Sequence, residues 1–359
     1  MSRSFAGCII PLAHSDRHHG SLRRGVYNPR IILIDDFTPP NLLRNPHFMT
    51  LAAAYWPRTF PQLSAPTPRN FEVEPGSSIR GDCHWQPDPK ECPAMILVHG
   101  LEGSSDSNYM RGTAEKAFTA GFSVVRLNQR NCGGSEKLTP TLYNSGLSGD
   151  CCAVVKELIE RDSLSEILAV GFSMGGNLVM KMAGDMGPHA PPELRGVMAI
   201  CPSLNLASCA DAVGAPRNFI YQWHFVKRLK GRMRYKASLY PHLYVVDGMR
   251  GIRSVRAFDD AITAKYCGFE SADDYYARSS ASRVAAEIRV PTLVLISQDD
   301  PMIPIEPFRD PALLGNPNIQ VLETRYGGHC AYISKSAGPQ RFWAETKIME
   351  FCSAHRKNA

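Results

Sequence analysis

From about residue 70 onward, short continuous apolar runs alternate with stretches whose apolar positions recur at helical spacing. The runs at 94–99 (AMILVH), 167–172 (ILAVGF), 196–201 (GVMAIC) and 292–296 (TLVLI) carry almost no polar interruption, as parallel strands buried on both faces require. Segments 79–85, 122–127 and 319–324 complete the predicted strands. Residues 111–120, 150–160, 175–186 and 340–354 read as helices, the first closed by Gly121 at its C-terminal cap. Strand and helix in alternation predict the α/β class, a mostly parallel sheet with crossover helices on its faces.

The alternation breaks between 206 and 285, where aromatic and basic residues replace the strand runs. An insertion of that size between two strands predicts a helical cap over the sheet's C-terminal edge, where open α/β sheets bind ligands. The chain therefore divides into a poorly ordered extension at 1–40, a core at 41–205 and 286–359, and the cap at 206–285. His14, His18 and His19 share the extension and read as part of a solvated tail rather than a metal site.

Composition narrows the class further. With 44% hydrophobic and 21% charged residues, 359 residues can bury a sheet on both faces without disulfides or metal. The net charge of +6 is too small for a nucleic-acid binder, and a single basic run in the cap accounts for the excess. Eleven cysteines, an odd number with no Cys-x-x-Cys pair, point to a reducing cytoplasm. The apolar stretch at 5–13 is broken by Gly7 and Pro11 and is too short for a signal peptide. No run of about 18 apolar residues exists, so no transmembrane helix is expected.

The candidate chemistry sits at strand ends. Gly171-Phe172-Ser173-Met174-Gly175 matches G-x-S-x-G between a predicted strand and a predicted helix. There the serine occupies a sharp, strained turn, and the helix N-terminus faces the oxyanion that develops on attack. The strand 292–296 leads into Asp299-Asp300-Pro301-Met302-Ile303-Pro304, and the strand after it into Gly327-Gly328-His329. The order Ser, Asp, His makes Ser173 the candidate nucleophile, His329 the general base and Asp300 the orienting acid. Asp300 is preferred to Asp299 for its spacing to the Ile303-Pro304 turn. The backbone N–H groups of Leu101, in His99-Gly100-Leu101-Glu102-Gly103, and of Met174 are the candidate oxyanion hole, and His99 reads as a turn-shaping residue.

These motifs extend into a resemblance. Asn45-Pro46-His47, the stretch NQRNCGGSEKLTPTLYNSGLSGD at 128–150, FDDAITAKYCGF at 258–269, the pair Tyr275-Tyr276, and the DDPMIP and GGH segments together resemble the YheT-like esterase and lipase branch of the α/β-hydrolases. The likeness spans roughly residues 41–352. It departs at Met49-Thr50, where the family usually carries Gln-Thr, and in lacking the membrane anchor of many eukaryotic members. The resemblance implies hydrolysis of carboxylic esters, short-chain or acylglycerol, with no metal or organic cofactor. An acyltransferase is the rival on this fold. Its relatives can carry Asp five residues after the histidine, where this chain has Ser334. A non-catalytic binding protein is the other rival, and it would be expected to lack one of the three residues.

The cap holds the run KRLKGRMRYK at 227–236, with six basic residues and no acidic one. Phe225, Leu229 and Met233 recur every fourth position, so an amphipathic helix with a basic face is expected, interrupted only by Gly231. Such a face is either a solvated cap surface or a peripheral contact with anionic membrane.

Overall fold

A computed structural model of the chain describes residues 31–357. One nine-stranded sheet runs through it in the order β1-β9-β8-β7-β6-β4-β5-β3-β2. The strands are β1 (Ile31–Ile34), β2 (Thr67–Glu74), β3 (Ser77–His84), β4 (Ala94–Val98), β5 (Ser123–Asn128), β6 (Ile167–Phe172), β7 (Leu194–Ile200), β8 (Thr292–Ser297) and β9 (Ile319–Thr324). Only the β2–β3 and β3–β5 pairings are antiparallel. The strands β4, β5, β6 and β8 are buried along their whole length, which is why their sequences show no alternation.

The longer helices are α1 (Pro46–Tyr55), α2 (Asn108–Thr119), α3 (Ser148–Glu160), α4 (Met174–Met186), α5 (Leu206–Gly214) and α6 (Phe219–Leu239), followed by Ala272–Ser279 and Trp343–Ala354. Among the described residues no helix is long and apolar enough to cross a membrane.

Register brings the chemistry to one edge. Val98 pairs with Gly171, Phe172 with Ile200, Ile200 with Leu295, and Ser297 with Thr324. Strands β4, β6, β7, β8 and β9 therefore end at the same edge of the sheet, with β8 and β9 running two residues beyond β7. The loops carrying His99–Gly103, Ser173, Asp300 and His329 all leave from that edge. Between β7 and β8, α5, α6, the π-helix Asp259–Ala264 and helix Ala272–Ser279 form a cap. Leu229, Met233, Phe258 and Ile262 of this insertion pack with Leu142 and Tyr143 from the loop before α3.

One reading of the sequence changes. Residues 31–34 are not part of a loose extension: β1 pairs in parallel with β9, Ile31 opposite Val321 and Ile34 opposite Thr324. Ile32 and Leu33 are exposed on this short edge strand, so four residues carried no period to detect. Residues 1–30, with His14, His18 and His19, lie outside the described part. Strand β2 and helix α1 also escaped the pattern. Five of the eight positions of β2 are exposed, and α1 is a short apolar helix beside a run of prolines.

Candidate active site

Ser173 is the residue between β6 and α4, with φ 54° and ψ −118°. A non-glycine residue rarely holds such angles, and the surrounding packing must enforce them. The two elbow glycines make that packing feasible. A Cβ on Gly171 would lie 2.1 Å from the Gly175 carbonyl oxygen, and one on Gly175 would lie 2.2 Å from the Val98 carbonyl oxygen. Neither position can hold a side chain without moving the backbone. The turn therefore presses α4 against β4 and lifts the serine hydroxyl above the strand ends.

His329 comes to that hydroxyl from the loop after β9. Its Nε2 lies 2.9 Å from Ser173 Oγ, and its Nδ1 lies 2.8 Å from Asp300 Oδ2. The other Asp300 oxygen accepts the backbone N–H groups of Met302 and Ile303 at 2.8 and 3.0 Å, which fixes the carboxylate. Asp299 points elsewhere: its Oδ1 accepts the Gly328 N–H at 2.9 Å, and burial pushes its carboxyl above the usual range. Thus Asp300 faces the imidazole, and Asp299 holds the loop behind it. Burial pulls the His329 imidazole down, but the Asp300 carboxylate prevails and raises it to about 9, with Cys330 adding to the rise.

The loop after β4 passes close to the serine. A Cβ on Gly100 would sit 3.1 Å from Ser173 Cβ, so glycine lets the backbone reach the nucleophile. The N–H groups of Leu101 and Met174 have no protein acceptor among the described residues, and both residues line the same cavity as Ser173 and His329. His99 is fully buried below them, with Nε2 accepting the Gln129 N–H at 3.2 Å. Burial lowers its imidazole to about 4, so it stays neutral and shapes the turn.

Thr50 and Glu102 are positioning residues that the sequence reading missed. Asn45 caps α1, its Oδ1 accepting from His47 and Phe48 N–H groups, and Pro46 starts the helix. One turn on, the Thr50 hydroxyl donates to the Pro46 carbonyl at 2.7 Å and accepts the His329 N–H at 2.9 Å. The Asn-Pro-His segment thereby anchors the histidine loop, and the signal for Thr50 was its place four residues after Pro46. Glu102, with φ 59°, lies next to Leu101 and is buried. Its carboxylate accepts from Tyr143 Oη at 2.6 Å and from Arg232 of α6 at 2.9 and 3.1 Å.

Above these groups lies a cavity enclosing about 1020 Å³ of empty space, open solvent at its mouth included. Its walls are largely apolar: Leu142, Leu206, Val213, Phe225, Leu229 and Met233, several of them from the cap, lie over Ser173. Cys201, His329 and Cys330 bring their ligand atoms within 4.8 Å of one another, the one such group among the described residues that could hold a metal. Both nitrogens of His329 are already engaged, by Asp300 and Ser173, so this geometry serves proton transfer.

A strained serine between strand and helix, an imidazole and a carboxylate on two later strand ends, and a cap above them define a hydrolase architecture. The chain belongs to the α/β-hydrolase fold family, whose model matches residues 93–336. Within that family it is YheT-like. It is 28% identical over 327 residues to the YheT protein of Escherichia coli (strain K12), an esterase by name, covering 89% of this chain and 94% of the other. It is also 26% identical over 309 residues to the monoacylglycerol lipase of Saccharomyces cerevisiae, covering 77% and 64%. The Pyrococcus furiosus esterase Pf2001 shares the fold, with a TM-score of 0.56 at 16% identity over 84% of this chain and 97% of that one.

Proposed function

We propose that the protein hydrolyses carboxylic esters, of short-chain or acylglycerol type, through an acyl-serine intermediate. The observation that carries this reading is the continuous relay from Ser173 Oγ through His329 to Asp300, at 2.9 and 2.8 Å, on the floor of an apolar cavity. His329 Nε2 takes the Ser173 proton as the hydroxyl attacks the ester carbonyl, while Asp300 accepts from Nδ1–H and stabilises the imidazolium. The Leu101 and Met174 N–H groups receive the oxyanion, and His329 returns its proton to the departing alcohol. Water then repeats the sequence and releases the acid. The apolar wall suits the acyl chain, and the esterase and lipase names of the relatives support the substrate class.

A fluorophosphonate probe should label the wild type and not Ser173→Ala. Turnover of an ester panel graded by chain length should fall by about four to six orders of magnitude in that variant. Labelling of Ser173→Ala, or hydrolysis at the wild-type rate, would refute the assignment. Product analysis with and without added alcohol separates hydrolysis from acyl transfer.

A further inference from the structure

The basic run of α6 does two different things. Arg232 turns inward to Glu102, and Lys236 is fully buried, its Nζ donating to the carbonyls of Glu136 and Thr139, while Arg228 pairs with Glu102 from a half-exposed position. All three tie the cap to the core, and Arg232 and Lys236 are not free to meet another surface. Arg217, just before the helix, and Lys227 and Arg234 on it are exposed, with no ion-pair partner among the described residues.

The outward side of the same helix is apolar at its other end. Phe219, Ile220 and Trp223 are 65%, 50% and 61% exposed. At about 100° per residue, Ile220, Trp223, Lys227 and Arg234 form one stripe, opposite the Phe225, Leu229 and Met233 that line the cavity. The Lys227 ammonium lies 5.0 Å from the centre of the Trp223 ring. Helix α1 joins this end through His47 Nδ1, 3.1 Å from Tyr221 Oη, and carries the exposed Phe48. One helix thus presents a substrate wall inward and, outward, an aromatic patch continuous with cations.

Charge selects among the occupants such a face could take. No acidic residue occurs between Asp211 and Asp247, so a second copy docked on the same face would oppose cation to cation. The first 30 residues carry Arg3, Arg17, Arg23, Arg24 and Arg30 against the single Asp16, so their charge has the same sign as this surface and does not complement it. An anionic bilayer complements both halves: headgroups meet the cations, and the acyl boundary receives the aromatic and aliphatic side chains.

We propose that the outer face of α6 docks on anionic lipid surfaces, with Phe219, Ile220 and Trp223 entering the bilayer boundary and Arg217, Lys227 and Arg234 meeting the headgroups. The contact sets the wall of the acyl cavity against the membrane. It does not require ester hydrolysis, so it is tested in the full-length Ser173→Ala chain by co-sedimentation with phosphatidylcholine vesicles containing graded phosphatidylserine.

Binding should rise at least about tenfold from neutral to strongly anionic vesicles and fall by a similar factor when salt is raised. Ile220→Ser with Trp223→Ser should weaken binding at every lipid composition. Arg217→Gln, Lys227→Gln and Arg234→Gln together should flatten the dependence on lipid charge. All these positions are exposed, so both variants should keep the parent Tm. No sedimentation with strongly anionic vesicles at low salt would overturn the proposal. So would binding that both variants retain in full, because attraction of the basic N-terminal segment alone would produce that result. A dimer in solution that the Ile220→Ser/Trp223→Ser variant dissociates would assign the face to a second copy instead.

Discussion

The carboxylate of Glu102, one residue after the Leu101 N–H, is gripped by the Arg232 guanidinium of the cap helix at 2.9 and 3.1 Å. Arg228 adds a bond to the Glu102 carbonyl at 3.2 Å, and Tyr143 a short one to the carboxylate. The backbone at Glu102 has positive φ, so its position depends on these partners. The cap is thereby linked to the loop that carries one proposed oxyanion donor. Arg232→Gln should lower kcat by about 10- to 100-fold, less than outright loss of an oxyanion donor, and change KM little. Arg232→Lys should recover part of the loss. Steady-state kinetics that show only a KM effect would confine Arg232 to substrate binding.

The two adjacent aspartates should separate cleanly. Asp300→Asn removes the charge and the acceptor facing His329 Nδ1 and should cost on the order of 10⁴ in kcat. Asp299→Asn keeps an oxygen for the Gly328 N–H and should cost less than about tenfold. The reverse ranking in purified variants would reassign the acid.

The pH profile follows from the electrostatics of His329. In the proposed mechanism the free base is the active form, and the imidazole is raised to about 9 because the Asp300 carboxylate outweighs burial. Its neutral fraction, and with it kcat/KM, should therefore increase from pH 6, reach half its plateau near pH 9 and level off above that. In Asp300→Asn the residual activity should reach its plateau at lower pH, since the carboxylate charge that chiefly raises the imidazole is gone. A profile flat between pH 6 and 9 in the wild type would contradict this.

Thr50 should matter through the histidine loop alone. Thr50→Val keeps the volume but leaves the His329 N–H without its acceptor, at a cost of about 1–3 kcal/mol if the group stays buried. A lower Tm and a several-fold drop in kcat are expected, with Thr50→Ser restoring most of both. A Thr50→Val enzyme with wild-type kcat and Tm would show that the loop holds its shape without α1.

Much of this architecture was written locally in the chain. Continuous apolar runs betray buried parallel strands because both faces of such strands must leave water, and β4, β6 and β8 were legible for that reason. The elbow glycines 171 and 175 were legible because no other residue fits between two backbones at those positions. The order of Ser173, Asp300 and His329 after β6, β8 and β9 was legible because the topology of the fold sets it.

Strands β1 and β2, half exposed at the two edges of the sheet, escaped because their stability comes from their neighbours and not from a pattern of their own. Contacts between distant segments are invisible in local spacing, and the tertiary structure alone decided them. Thr50 meets His329 across 279 positions, and Arg232 meets Glu102 across 130. The same holds for the division of labour along α6. The sequence showed six cations in one run, but a side chain's direction depends on what packs beneath its helix. Packing against Glu102 and the carbonyls of Glu136 and Thr139 turned Arg232 and Lys236 inward, while Lys227 and Arg234 face solvent.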